Sequence, residues 1–401
     1  MRALVVGVAF GGAGTDRASL DETCALARSA GIEPVETIAV RRPRPDAALS
    51  VGSGKAEEIR ERLQQREAVA VIFDNPLTSV QQRNLGRLLA VPVIDRTELI
   101  LDIFAQRARS NEGKLQVELA RIEHQLSRLV RGWSHLERQR GGIGQRGGPG
   151  EKQIELDRRM LDAKARQLRQ RLDKLGRQRL TRRRARLRQD VFSVSLVGYT
   201  NAGKSTLFNA LTGAGTFAAD QLFATLDTLS RRLRLPGGAE VVLSDTVGFV
   251  RQLPHTLIES FRATLEETRD ADLLLHVVDA GAPDRDDQIA EVERVLQEIG
   301  AGSVPVLMVY NKIDAAGWLP QAERDPCGSI NRLMVSAKTG AGLPALQQAL
   351  TERLSRSLQG DPASEDPRWR VLADPDPADP VQPVPDLPNP GAPGASRPSH
   401  A

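Results

Sequence analysis

The chain is poor in the residues that would place it in several protein classes. Among its 401 residues only Cys24 and Cys327 are cysteines, and with no C-x-x-C pair they indicate neither a disulfide framework nor a zinc site. A reduced, cytoplasmic setting is expected. Aromatic residues make up 3%, too few for stacking on bases to be a main binding device. No run of about twenty apolar residues occurs, so no membrane-spanning helix is expected. The first residues, Met1-Arg2-Ala3-Leu4-Val5-Val6-Gly7, lack a small-residue cleavage site and read as a strand instead of a signal peptide. An excess of one charge is lacking too: the formal net charge is only +4, which says little about partners.

What is present is a hydrophobic share of 40%, enough for real cores, on a chain long enough for two or three domains. Charge is unevenly placed. Arginine crowds residues 158–188, ending in Thr181-Arg182-Arg183-Arg184-Ala185-Arg186-Leu187-Arg188, whereas the C-terminal residues are rich in Asp and Pro. A basic stripe of this kind fits a polyanion partner, and equally a solvated face or a connector.

The stretch Gly198-Tyr199-Thr200-Asn201-Ala202-Gly203-Lys204-Ser205 organises the rest. It follows an apolar run over 191–197 that predicts a buried strand, and Thr206-Leu207-Phe208-Asn209-Ala210-Leu211 after it predicts a helix. Strand, glycine loop and helix are the context of a phosphate-binding P-loop. Gly198 and Gly203 let the backbone turn and approach an anion, so that successive N–H groups and the helix N-terminus face phosphate oxygens. Lys204 is expected on the β- and γ-phosphates and the Ser205 hydroxyl on Mg2+.

Residues 1–110 alternate short apolar runs (4–8, 35–40, 69–73, 91–94) with amphipathic ones (19–30, 55–66, 79–89, 97–109), which predicts a small parallel α/β domain. Within it Val51-Gly52-Ser53-Gly54-Lys55 resembles part of a phosphate loop, but no strand runs into it, and it reads as a turn and helix start. Over 111–190 the period changes. Leu115, Leu119, Ile122, Leu126, Leu129, Trp133 and Leu136, then Ile154, Leu161, Ala165, Leu168, Leu172 and Leu175, recur at steps of three or four, which predicts a long antiparallel helical hairpin. Its tip is long and glycine-rich, and Arg138, Arg140, Gly141, Gly142 and Arg146 are the candidate RNA contacts: mobile backbone moulds to a sugar-phosphate surface while guanidinium groups supply charge.

Residues 191–358 are expected to form a nucleotide-binding G domain. A strand pair turning at Pro236-Gly237-Gly238 leads to Asp245-Thr246-Val247-Gly248-Phe249, an acid at a strand end followed by a glycine whose N–H can meet the γ-phosphate. Asp245 is expected to hold Mg2+ through water. Apolar runs over 273–278 and 304–310 predict further strands, the second leading into Asn311-Lys312-Ile313-Asp314. The Asp314 carboxylate can accept two hydrogen bonds from guanine N1–H and its exocyclic amine, which adenine does not offer there. Ser336, Ala337 and Lys338 complete the base pocket, with the Ala337 N–H expected on the guanine oxygen. A switch threonine must lie between Leu211 and Arg231, and Thr216, Thr225 and Thr228 all qualify. Residues 359–401, dominated by Pro, Asp, Ala and Gly, read as a disordered tail.

With these motifs the chain resembles the HflX family of ribosome-associated GTPases. The P-loop with Asn201, the segments Phe223-Ala224-Thr225-Leu226-Asp227 and Asp245-Thr246-Val247-Gly248-Phe249, and above all the stretch from Leu129-Val130-Arg131-Gly132-Trp133 to Arg159 carry the resemblance, which spans about residues 3–358. It departs from the family at the tip, where Gly147-Gly148 adds a glycine before Pro149 and Lys152 stands where threonine is common. The resemblance selects Thr225 as the threonine on Mg2+, alongside Ser205, and makes Lys204, Thr225 and Gly248 the candidate catalytic contacts. It implies GTP and GDP as ligands, a monomer, and binding to the large ribosomal subunit and its rRNA, with a role in separating stalled ribosomes. Phe249 stands where many GTPases carry a water-orienting glutamine, so slow intrinsic hydrolysis stimulated by the ribosome is expected. Asn201 is a hypothetical ligand of a potassium ion, and Arg251 and Arg262 are surface arginines with a lesser claim as arginine fingers. Two other readings share the motifs: an ATP- or GTP-dependent RNA remodeller, and a ribosome-assembly GTPase without splitting activity.

Overall fold

In a computed structural model of the chain, which describes residues 1–11, 17–131, 149–187, 191–214, 222–251, 257, 262–326 and 328–359, two sheets are each built on a buried, β-branched central strand. Residues 1–352 form one compact unit, and the described residues 353–359 fall outside it.

The first sheet has the order β2-β1-β3-β4, all parallel, from β1 (Arg2–Phe10), β2 (Glu33–Arg42), β3 (Ala70–Phe73) and β4 (Val93–Asp95). Alternation along β1 divides the core. Leu4, Val6 and Val8 face α2 (Ser53–Gln65) and α3 (Ser79–Leu89), packing with Ile59, Leu63 and Leu85. Ala3 and Val5 face the other side, where α1 (Arg17–Ser29) and α4 (Arg96–Arg107) bring Leu26, Ile100 and Phe104. The expected strands and helices of this region are all present. Val51-Gly52 is a turn, with Gly52 at φ 82° capping α2, as its composition indicates.

Helix α5 (Asn111–Arg131) packs on α6 (Pro149–Leu187) through Leu119, Ile122, Ala165 and Leu168, with Leu115, Leu126, Leu161 and Leu172 at the margins. Asn111 and Leu115 share a groove with Arg171, Lys174 and Leu175. Ion pairs from Lys164 to Glu118 and from Arg169 to Glu123, each 2.7 Å, flank the seam. The stripe 181–187 continues α6 as helix. The expected tip, with Arg138, Arg140, Gly141, Gly142 and Arg146, lies outside the described residues, as do Cys327 and residues 360–401.

The second sheet has seven strands in the order β10-β11-β9-β8-β5-β7-β6. Its parallel centre is β5 (Ser193–Val197), β7 (Glu240–Asp245), β8 (Leu273–Asp279), β9 (Val306–Asn311) and β11 (Ile330–Met334). The edges are antiparallel: β6 (Leu229–Arg234) on β7 and β10 (Gln321–Arg324) on β11. Helices α7 (Lys204–Thr212), α8 (Arg262–Arg269), α9 (Arg285–Glu298), α10 (Ile313–Ala316) and α11 (Leu343–Gln359) complete it. The sheet order places β5 between β8 and β7, so the connections leave β5 on opposite sides and a crevice opens at the C-terminal ends of these strands. Among the described residues no helix is long and apolar enough to cross a membrane.

Candidate functional site at the strand ends

The loop between β5 and α7 carries its functional groups because two positions are glycine. Gly198 has φ 145°, and a Cβ there would run into the Val277 carbonyl; Gly203 has φ 90°, and a Cβ would meet the Asn311 side chain. Asn201, at φ 60°, takes a left-handed conformation that asparagine tolerates well. This loop and the first turn of α7 line a cleft through Thr200, Asn201, Gly203, Lys204, Ser205 and Thr206, with Phe223, Ala224, Thr225, Thr246 and Gly248 completing it. Lys204 is buried, and its ammonium donates to the carbonyls of Gly198 (3.0 Å) and Tyr199 (2.7 Å). Burial, reinforced by Lys312, pulls its pKa down to about 8 against the attraction of Asp245.

Three oxygens converge behind the loop. Ser205 Oγ and Thr225 Oγ1 are 2.7 Å apart, and they donate to Asp245 Oδ2 at 2.7 and 2.8 Å. Asp245 is fully buried, and burial raises its pKa although both hydroxyls work against this. The segment after Asp245 is tied to the loop by backbone: Thr200 N–H donates to the Phe249 carbonyl (2.7 Å), and Phe249 N–H to that of Gly198 (3.2 Å). Gly248 sits so close to Thr200 and Lys204 that a Cβ would touch both. Phe249 is fully buried in the apolar core, turned away from the cleft.

At the end of β9, the buried Asn311 spans two loops. Its Nδ2 donates to the Ala202 carbonyl (3.0 Å), and its Oδ1 accepts from the Ala337 N–H (2.9 Å). Ser336 Oγ donates to Asp314 Oδ1 at 2.6 Å, and Lys312 pairs with Asp279 at 2.8 Å. Among the residues singled out from sequence, Ile313, Val247 and Leu226 are buried and belong to the core, and Lys338 is exposed. Asp227 turns its carboxylate out of the cleft toward Ser110.

Residues 17–105 match a family described as "GTP-binding GTPase N-terminal", residues 107–186 one described as "GTP-binding GTPase Middle Region", and residues 193–312 one described as "50S ribosome-binding GTPase". GTPase HflX of Escherichia coli (strain K12) is 54% identical over 341 residues, which cover 85% of this chain and 80% of that protein. GTPase HflX of Magnetococcus marinus is 48% identical over 339 residues, covering 84% and 78%. This chain belongs to the HflX GTPase family.

As an HflX family member it is a GTP hydrolase that binds GTP and GDP, and Mg2+ is the usual ion of such enzymes. The donor set fits that ion. Two hydroxyls and a carboxylate meet at one point, and the second carboxylate oxygen, Asp245 Oδ1, is buried without a hydrogen-bond partner. Mg2+ prefers few protein oxygens, with phosphates and water supplying the rest. Among the described residues there is no cluster of three or more His, Cys, Asp or Glu side chains.

The site of this HflX protein also reaches into the N-terminal elements, which residue patterns alone did not reveal. The Tyr199 hydroxyl donates to Glu22 and accepts the Arg251 N–H (2.7 Å). Burial and then the Glu22 charge raise the Tyr199 pKa, so the phenol stays a donor. Glu22 pairs with Arg96 at 2.5 Å; Arg96 also pairs with Asp74 (2.8 Å) and donates to the Arg251 carbonyl (3.1 Å). Arg251 itself pairs with Asp284 at 2.9 Å, a structural role in keeping with the surface reading. The one available signal was Tyr199, one of two tyrosines, because a buried tyrosine needs a partner for its hydroxyl.

Proposed function

We propose that this GTPase binds the large ribosomal subunit and its rRNA through its N-terminal region, and couples GTP binding and hydrolysis to dissociation or rescue of stalled ribosomes. The observation that carries the reading is the Tyr199–Glu22–Arg96–Arg251 network, which links the phosphate loop and the segment after Gly248 to the N-terminal elements. A change at the γ-phosphate is thereby felt outside the G domain. Support for the partner is the family description "50S ribosome-binding GTPase" over residues 193–312.

In this reading residues 1–110, 111–190, 191–358 and 359–401 are the α/β domain, the helical hairpin, the G domain and the tail. The chain acts as a monomer in the cytoplasm. Loop amides from Gly198 to Thr206 and Lys204 hold the phosphates. Ser205 and Thr225, with Asp245 behind them, hold Mg2+, which offsets the charge of the β- and γ-phosphates. Gly248 offers its N–H to the γ-phosphate, and Asp314, Ser336 and Ala337 read guanine, with Asn311 holding their loops in place. Buried Phe249 leaves no side chain there to orient water, so hydrolysis is slow until the ribosome completes the site. Asn201, exposed at the cleft, is the residue that would help hold a potassium ion, which equal turnover in potassium and sodium buffers would exclude. Arg138, Arg140, Gly141, Gly142 and Arg146 contact RNA.

Sucrose-gradient sedimentation of purified ribosomes with the full chain and a non-hydrolysable GTP analogue tests this. Loss of the intact-ribosome peak, with the protein on the large subunit, is the expected result. An unchanged profile with the protein at the top of the gradient would refute it.

A further inference from the structure

Asp227 follows Thr225 by two residues, yet its side chain serves a different part of the molecule. Its Oδ2 accepts the N–H groups of Arg109 (2.9 Å) and Ser110 (2.8 Å), and its Oδ1 accepts the Ser110 hydroxyl at 2.5 Å. Ser110 Oγ accepts the Gly113 N–H at 2.8 Å, so Ser110 caps the first turn of α5 and Asp227 completes that cap from 117 residues away. Space for the carboxylate exists because residue 113 is glycine; a Cβ there would run into Asp227 Oδ1. An anion at a helix N-terminus, held by charge-assisted hydrogen bonds, is a strong anchor.

A second anchor lies on the other side of Thr225. Phe223, held at φ 56°, is buried and packs edge-on against Phe104 of α4 with ring centroids 4.6 Å apart. The neighbouring Leu222 N–H donates to Ser29 Oγ of α1 at 2.9 Å. Thr225 thus sits between two attachments, both to elements that precede the G domain in the chain.

We propose that Asp227 is a positioning residue for GTP hydrolysis: bound to the start of α5, it holds the backbone around Thr225 so that the threonine hydroxyl reaches Ser205 and Asp245. Ordering a loose segment costs backbone entropy at every turnover, and a permanent anchor removes that cost. The proposal rests on reading Thr225 as the threonine that faces Mg2+.

The test uses the full chain and its Asp227→Ala, Asp227→Asn, Ser110→Ala and Thr225→Ala variants. Single-turnover hydrolysis, its Mg2+ dependence, GDP affinity, and amide exchange over residues 222–227 with a non-hydrolysable GTP analogue are measured. Asp227→Ala is expected to lower kcat about tenfold, raise the Mg2+ needed for half-maximal rate several-fold, and leave GDP affinity within about twofold. It should also lower the protection of residues 222–227 both with and without the analogue. Asp227→Asn, which keeps one acceptor, falls between. Ser110→Ala removes a single hydroxyl and shifts kcat and Mg2+ dependence in the same direction by less, which decides the matter should Asp227→Ala fail to fold. Wild-type kcat, Mg2+ dependence and protection in Asp227→Asn and Ser110→Ala would overturn the proposal. Wild-type kcat in Thr225→Ala would instead overturn the reading beneath it.

Discussion

The hydroxyl oxygens of Ser205 and Thr225 stand 2.7 Å apart, although they belong to a helix start and to a separate segment 20 residues on. Both donate to the same oxygen of Asp245, so one carboxylate ties the start of α7 to the segment that carries Thr225. Replacing Thr225 with alanine should lower kcat about 100-fold while GDP affinity changes little, because on the proposed reading its contact is made with the triphosphate state. On the same reading Ser205→Ala should impair both, since its hydroxyl would serve the Mg2+ of either nucleotide. Single-turnover rates and GDP titrations at fixed Mg2+ check this; equal losses in the two variants would contradict it.

The Asp314 carboxylate is oriented by the Ser336 hydroxyl at 2.6 Å. On the proposed reading, Asp314→Asn replaces one of two acceptor oxygens by an amide donor, which leaves the guanine exocyclic amine unpaired and matches the C2 oxygen of xanthine. GDP affinity should fall by about 100-fold or more, with xanthosine diphosphate becoming the better ligand, as expected where a buried polar match is lost. Competition binding of the two diphosphates measures the exchange.

Arg96 is 5% exposed in its side chain and lies between Glu22 and Asp74. Burial alone would lower its pKa, and the two carboxylates outweigh that effect. Arg96→Ala leaves both carboxylates without their buried partner and should destabilise the protein by about 3–5 kcal/mol. Since Glu22 also receives the Tyr199 hydroxyl, GDP affinity should fall as well. Urea unfolding and a GDP titration on the same variant test the two halves.

His276, 2% exposed on β8, has its pKa lowered from 6.5 to about 4 by burial and by Lys204. Above pH 6.5 neither the folded nor the unfolded imidazole is charged. Between 6.5 and about 4 only the unfolded chain takes up the proton, so stability falls with pH across that window, by about 3 kcal/mol in all. His276→Gln should lack this part of the slope. Unfolding free energies at pH 7.5 and 5, compared between the two proteins, read the difference; parallel slopes would show that the imidazole does not titrate as described.

Much of this architecture was legible in the sequence because period and punctuation agree. The runs at 4–8 and 69–73 form strands where they are expected, Gly198 and Gly203 hold the left-handed positions of their loop, and Asn311 ends β9 with Asp314 just beyond it. Strand β10 was not foreseen: Gln321-Ala322-Glu323-Arg324 is a polar, mostly exposed edge with no alternation to betray it. Choosing among three threonines from residues alone was also beyond reach. Thr225 meets Asp245, Thr228 is half-buried, and Thr216 lies outside the described residues. The Glu22–Tyr199 bond joins positions 177 residues apart, and no local pattern carries such a pairing. Asp227 belongs by motif to the segment Phe223-Ala224-Thr225-Leu226-Asp227, and nothing in that motif tells that its carboxylate accepts from Arg109 and Ser110; a carboxylate beside helix-start amides finds its donors there.

A single carboxamide, that of Asn311, grips the Ala202 carbonyl with one end and the Ala337 amide with the other. The loop that carries Ala202 and the loop that carries Ala337 are therefore fastened to one side chain. On the proposed reading, where one loop takes the phosphates and the other the guanine, a molecule with the proper ring at the wrong distance from its charged end satisfies one only by abandoning the other.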